Sequence, residues 1–223
     1  MSSSVLVSRP FAGLLPVHAR RRESRFLTWE GAVWLADAHH GMPNASDLVT
    51  LVLCADAAIR GTRELVTAEL PVEPSSFVRV AAARMQRSDS PRAPTLPLAL
   101  EWSPERMTLN PCWCDCVRDA ASTAQLDRDM VMELNPGALA LAIILATQST
   151  PIAAAKLMRR CGSQVTQPFR VRQQAKRWLR ELCEAGFRDW GLDSITGVFF
   201  PIARIPLGTA SPLPRHDSAA TRA

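Results

Sequence analysis

The sequence predicts a mainly α chain with small β-hairpins (α+β). Three observations carry this reading. The pairs Asn135-Pro136 and Thr150-Pro151 are helix-start signals placed before apolar or amphipathic runs. Phe169 to Ala185 shows the clearest helical periodicity in the chain. Glycine-punctuated runs of strand formers follow it, and a second such pair lies between Leu98 and Leu109.

In chain order, residues 1–23 read as a disordered basic arm. Met1 to Arg22 contains no acid and ends in Arg20-Arg21-Arg22. An organelle transit peptide has similar composition, but Pro10, Gly13 and Pro16 interrupt any continuous amphipathic helix. An arm that adds nonspecific phosphate contacts is preferred. Residues 24–70 read as a helical region. Thr28 to His40 has apolar Trp29, Ala32, Val33, Leu35 and Ala36. His39 and His40 after Asp37 are expected at a helix end, since no third metal ligand lies at useful spacing. Ser46 is the expected cap of a helix from Asp47 to Arg60, ended by Gly61. Arg63 to Leu70 reads as a third short helix. These three would resemble a further helix-turn-helix unit, but none is a basic third helix, so packing or dimerisation is the expected role.

Residues 71–97, rich in Pro, Ser and Arg, read as a linker or exposed loop. Residues 98–134 hold a β-hairpin (Leu98 to Trp102 and Arg106 to Leu109), a Cys-rich segment and a linking helix from Ser122 to Leu134. In Pro111-Cys-Trp-Cys-Asp-Cys116, alternate thiols on an extended strand would share one side. Cys112, Cys114 and Cys116 are therefore a weak candidate for a soft-metal or redox patch. Structural zinc favours cysteine pairs two to four residues apart, with a second pair elsewhere, and buried or tolerated thiols are preferred here.

Residues 135–206 read as three helices and a hairpin. Ala138 to Ala146 is apolar all round, which predicts a buried helix. A second helix from Thr150-Pro151 to Cys161, stopped by Gly162, places Lys156, Arg159 and Arg160 opposite Ala154, Leu157, Met158 and Cys161. The third helix sets Val171, Ala175, Trp178, Leu179, Leu182 and Ala185 against Arg172, Gln173, Lys176, Arg177, Arg180 and Glu184. Its acids, Glu181 and Glu184, stand only at the C-terminal end. That polarity opposes the helix dipole and suits a helix whose N-terminal half enters a groove. Strand formers from Phe187 to Trp190 and from Ile195 to Ile205 would build a wing, with Arg188 or Arg204 near a DNA backbone. Residues 207–223 read as a disordered tail.

The segment Leu179-Arg-Glu-Leu-Cys-Glu-Ala-Gly-Phe187 resembles the junction of third helix and wing in bacterial winged helix-turn-helix regulators and replication initiators. The resemblance covers the C-terminal third only. The polar connection from Ser163 to Pro168 is longer than the tightest turns of such units. The family likeness implies a DNA-binding protein of a bacterium, its phage or a plasmid, acting in transcriptional regulation or replication initiation. The expected DNA-binding residues are Arg159, Arg160, Arg170, Arg172, Gln173, Lys176, Arg177 and Arg188. The expected partner is double-stranded DNA, with a homodimer left open. The expected location is cytoplasmic and nucleoid-associated, with no membrane span.

Charge placement agrees with a polyanionic partner. The net charge is +5, but from Pro151 onward 12 Lys+Arg face 5 Asp+Glu, giving +7, while the preceding residues have 14 against 16, giving −2. Only Lys156 and Lys176 are lysines. The arginine excess itself reads as codon bias, so its placement is the evidence. No phosphate loop, nucleophile elbow, H-E-x-x-H or dinucleotide glycine pattern is present. None of His18, His39, His40 and His216 is placed as a catalytic base, so neither an enzyme nor a cofactor is expected. Six cysteines without a secretory signal suggest reduced thiols. Two alternatives stay open: a protein–protein interaction module whose basic face meets an acidic partner, and a Cys-based metal or redox sensor.

Overall fold

The first described residues form a strand and a helix, not an arm. The computed structural model describes residues 3–20, 22–29, 31–86 and 94–202. Strand β1 (Ser4–Val7) buries Val5 and Val7, and Ser8 then caps α1 (Arg9–Gly13), its hydroxyl accepting from the Phe11 N–H. The alternating valines and Phe11 supply the burial that an arm would lack, which overturns the expected disorder. Thr28 to His40 is also not helical. It holds β3 (Val33–Leu35), which pairs antiparallel with the preceding β2 (Arg25–Leu27) through a turn at Gly31, φ +79°. Asp37 then makes a turn by accepting from the N–H groups of His39 and His40, so those histidines do not end a helix.

The second expected helix is present as α2 (Leu48–Arg60), ended by Gly61 at φ +85°. Its entry is built differently from expectation. Asn44, not Ser46, caps a short 3-10 turn, and Asp47 closes the capping box by accepting from the Asn44 N–H. Asp47 is wholly buried and pairs with Arg79 on α3 (Pro74–Ala81). Between them, Arg63 to Leu70 forms β4 (Glu64–Val66) and a 3-10 turn rather than a helix. Among the described residues of 24–70 no second helix-turn-helix therefore forms.

The expected linker is largely ordered structure. Pro74 opens α3, and β5 (Arg84–Gln86) and β6 (Leu96–Pro97) join β2 and β3 in a four-stranded sheet, β2-β3-β5-β6. Arg87 to Ala93 lies outside the described residues. The expected hairpin is present as β7 (Ala99–Trp102) and β8 (Arg106–Leu109), with β4 completing the sheet β4-β8-β7. The Cys segment is helix α4 (Pro111–Val117), capped by Asn110, rather than an extended strand. The expected linking helix begins late: β9 (Ala124–Asp127) pairs with β1, and only Arg128–Glu133 is helical, as α5.

The C-terminal region follows its sequence signals more closely. Asn135 caps α6 (Pro136–Ala146), its side chain accepting from the N–H groups of Gly137 and Ala138. Thr150-Pro151 starts not a helix but strand β10 (Ile152–Ala153), and α7 (Ala154–Arg160) begins after it. Helix α8 (Pro168–Glu184) and the hairpin β11 (Trp190–Asp193) and β12 (Val198–Pro201) complete the region. The three strands are ordered β10-β12-β11, all antiparallel. Arg204, the end of the expected wing and the tail from 207 lie outside the described residues.

The fold is thus mixed α and β, with more strand in its N-terminal part than the sequence suggested. A continuous buried cluster runs from Val5 to Phe199. Helix α6 lies within it, touching α1, α2 and β9 as well as α7 and α8. Contact on so many sides explains why Ala138 to Leu145 is apolar on every face. Among the described residues no helix is long and apolar enough to cross a membrane.

Candidate nucleic-acid interface

Helix α8 buries Val171, Ala175, Trp178 and Leu182. Those spacings put the four side chains on one stripe, and the stripe packs on α6, α7 and β11. Leu179 and Ala185 lie at its margin, half-buried. Two close approaches set the depth of packing. Gly137, at the start of α6, lies against the Trp178 indole, and a methyl group there would overlap the ring. Glu181 accepts from both the backbone N–H and the side-chain amide of Asn135. One of the helix's two acids is therefore engaged at the start of α6.

The opposite face is open. Arg170, Gln173, Lys176, Arg177 and Arg180 are all exposed, and the first turn of α8 holds no acid. Ion pairs among the described residues join Arg60 to Asp56, Arg79 to Asp47 and Arg118 to Asp115; none involves an α8 cation. Ser163 in the connecting loop donates to Gln174 Oε1 at 2.5 Å, which ties the loop to the flank of the helix. Gly162, at φ +83°, stands against the backbone of Val17, so the turn after α7 needs glycine both for its conformation and for space.

Arg172 is partly engaged within the fold. It is half-buried, its guanidinium donates to the Ile195 carbonyl at 3.4 Å, and its stem lies beside Gly197. It therefore joins α8 to the tip of the β11–β12 hairpin. That tip is itself ordered. Asp193 accepts from the Ile195 N–H at 2.8 Å and from the Thr196 hydroxyl at 2.5 Å, and the Gly197 N–H returns to the Asp193 carbonyl. The Thr196 hydroxyl and the Ile195 amide hold the Asp193 carboxyl below its ordinary value.

The remaining candidates divide. Arg159 is exposed in the last turn of α7, and its carbonyl meets His18 Nε2 at 2.5 Å. Arg160 is half-buried with its guanidinium over the Trp29 ring, 5.7 Å from the centroid. Both line a small cleft with His18, Phe26 and Trp29, so the N-terminal hairpin covers part of the basic face expected on α7. Arg188 is exposed, but it follows the C-terminal end of α8 and precedes β11. It stands at the base of the hairpin, roughly 13 Å of strand from the tip. The structure thus brings Arg170, Gln173, Lys176 and Arg177 together on one face. Arg172 is turned towards the hairpin, Arg160 lies on Trp29, and Arg188 is at the far end. Arg180 belongs with the open face, as its periodicity indicated. The ordering of the Asp193 turn carried only the Asp-x-x-x-Gly signal in sequence.

The thiols do not converge. Two-residue steps on α4 turn about 200°, and Cys112 is exposed while Cys114 is buried and Cys116 half-buried. The helix turns Cys114 away from Cys112 and Cys116, so the three thiols no longer share the one side that an extended strand would have provided. Among the described residues no group of three or more His, Cys, Asp or Glu side chains could hold a metal. Burial pushes the Cys54 thiol up to about 12 and raises those of Cys114 and Cys161. At neutral pH iodoacetamide is expected to label Cys112 first and to reach Cys54 and Cys161 only after unfolding. Peptide mass spectrometry of a labelling time course checks this order; early labelling of Cys54 would contradict its burial.

Neither a protein-family model nor a curated protein sequence matches this chain.

Proposed function

We propose that this protein binds double-stranded DNA through a winged helix-turn-helix formed by residues 135–202, as a transcriptional regulator or a replication initiator. The observation that carries the reading is the open face of α8. It gathers Arg170, Gln173, Lys176 and Arg177 on a helix held from behind by Trp178, with no acid in the first turn. Three helices followed by a hairpin, with the strand order β10-β12-β11, support the winged arrangement. Arg and Lys at these positions suit phosphate and guanine, and Gln173 suits adenine. Arg159 adds a further phosphate contact from α7.

The test is fluorescence anisotropy with a labelled duplex across a salt series. Affinity is expected to fall steeply as salt rises, because each neutralised phosphate releases counterions. Replacing Arg170, Lys176 and Arg177 together by alanine should flatten the log–log salt dependence, by about one for each phosphate no longer neutralised. Where one of these side chains reads a base instead, its removal should cost about 1–3 kcal/mol. The three side chains are exposed, so circular dichroism should be unchanged. A wild-type chain with no duplex retention at low salt would overturn the reading and favour a protein-binding module.

A further inference from the structure

We propose that Ile195, at the tip of the β11–β12 hairpin, is an apolar wedge that enters a base step of the bound duplex and kinks it, a step that rests on the DNA-binding reading above. Ile195 is 87% exposed, the most exposed of the large apolar side chains among the described residues. A β-branched side chain left in water contributes nothing to the core. Its surroundings nevertheless hold it in a defined place.

Three sets of interactions fix that place. The Asp193 carboxylate accepts from the Ile195 N–H and the Thr196 hydroxyl, which closes the turn. The Gly197 carbonyl accepts from the Ala154 N–H at 2.8 Å, which joins the hairpin to the start of α7. Arg172 donates to the Ile195 carbonyl, which joins the tip to α8. The backbone of Ile195 is thus held while its side chain projects free. Arg172 lies in the N-terminal half of α8, so the tip is presented beside the cationic end of the helix.

Charge complementarity selects the occupant. The tip lies beside Arg172 and, one turn further along the helix, Lys176, so an apolar protein surface would meet positive charge there, whereas a polyanion is drawn to it. With α8 in the major groove, an element beside its N-terminal half crosses one phosphate strand and meets the adjacent minor groove. Apolar side chains inserted there unstack a base step and bend the duplex. The deformation is easiest at pyrimidine–purine steps such as TpA. Arg172 is then a positioning residue that sets the distance from helix to wedge.

The experiment uses the full chain and a short duplex with TpA steps spaced one helical turn apart. A fluorescent adenine analogue in those steps brightens on unstacking, and end-to-end energy transfer reports the bend. The wild type should brighten a step and bend the duplex by about 20–90°. Ile195→Ser should lose both signals while keeping the salt dependence, since no ionic interaction is removed. Ile195→Leu should retain them. Arg172→Ala should reduce the bend through loss of registry. The inference is overturned if the wild type binds a duplex that stays straight and stacked, or if Ile195→Ser bends it as the wild type does. Absence of any duplex binding at low salt would instead sink the DNA-binding reading, and this inference with it.

Discussion

Asp47→Ala is expected to cost about 3–5 kcal/mol of folding stability, because it strands a buried guanidinium. The Asp47 side chain is 0% exposed and that of Arg79 8%. Their contact is bidentate, with Arg79 Nε to Oδ2 at 2.8 Å and Nη2 to Oδ1 at 2.6 Å. The same carboxylate accepts from the Asn44 N–H at 3.1 Å and so closes the turn before α2. One substitution removes the charge partner of α3 and half of the capping box together. Thermal unfolding should shift down by roughly 6–20 °C at about 2–4 °C per kcal/mol for a chain of this size. The desolvation argument makes a sharper demand. Asp47→Leu with Arg79→Met should be less damaging than Asp47→Ala alone, since no unpaired charge remains. A single variant melting within a degree of the wild type would mean that water reaches the pair.

The elements legible in the sequence are those whose signals are local. Asn135-Pro136 places both the cap and the first residue of α6, and the run after it predicts a helix covered on every side. In α8, the spacing of Val171, Ala175, Trp178 and Leu182 is a complete helical stripe within one element. The short strands have no comparable signal. β1 pairs with β9 more than a hundred residues away, and two valines in four residues cannot announce such a partner. Trp29, Ala32, Val33, Leu35 and Ala36 fit a helical face as well as they fit a hairpin, and the turn at Gly31 decides between them only once β5 is alongside. The stretch rich in Pro and Ser hid α3 because proline opens a helix as readily as it marks a loop. At the interface, periodicity identified which side chains share a face but not what lies against them. Arg160 meets Trp29 and Arg172 meets Ile195 only through tertiary packing, and that packing separates the open cations from the engaged ones.

Trp178→Ala is expected to cost about 3–5 kcal/mol, the range for truncating a large buried aromatic. Trp178 is 6% exposed and packs from α8 against Gly137 at the start of α6. Its loss would leave a cavity where α8 is braced, so thermal stability and duplex binding should fall together. Gly137 supplies the test that the indole itself is responsible. Gly137→Ala in the wild type drives a methyl group into the ring and should cost about 1–3 kcal/mol as overpacking. In the Trp178→Ala background that methyl group enters the vacated space, so its cost should vanish or reverse. The two effects are therefore expected to be strongly non-additive, as those of touching residues are. A urea-melt double-mutant cycle measures the coupling. Additive losses would show that α6 and α8 do not meet through this pair, and the support proposed for the cationic face would have to lie elsewhere.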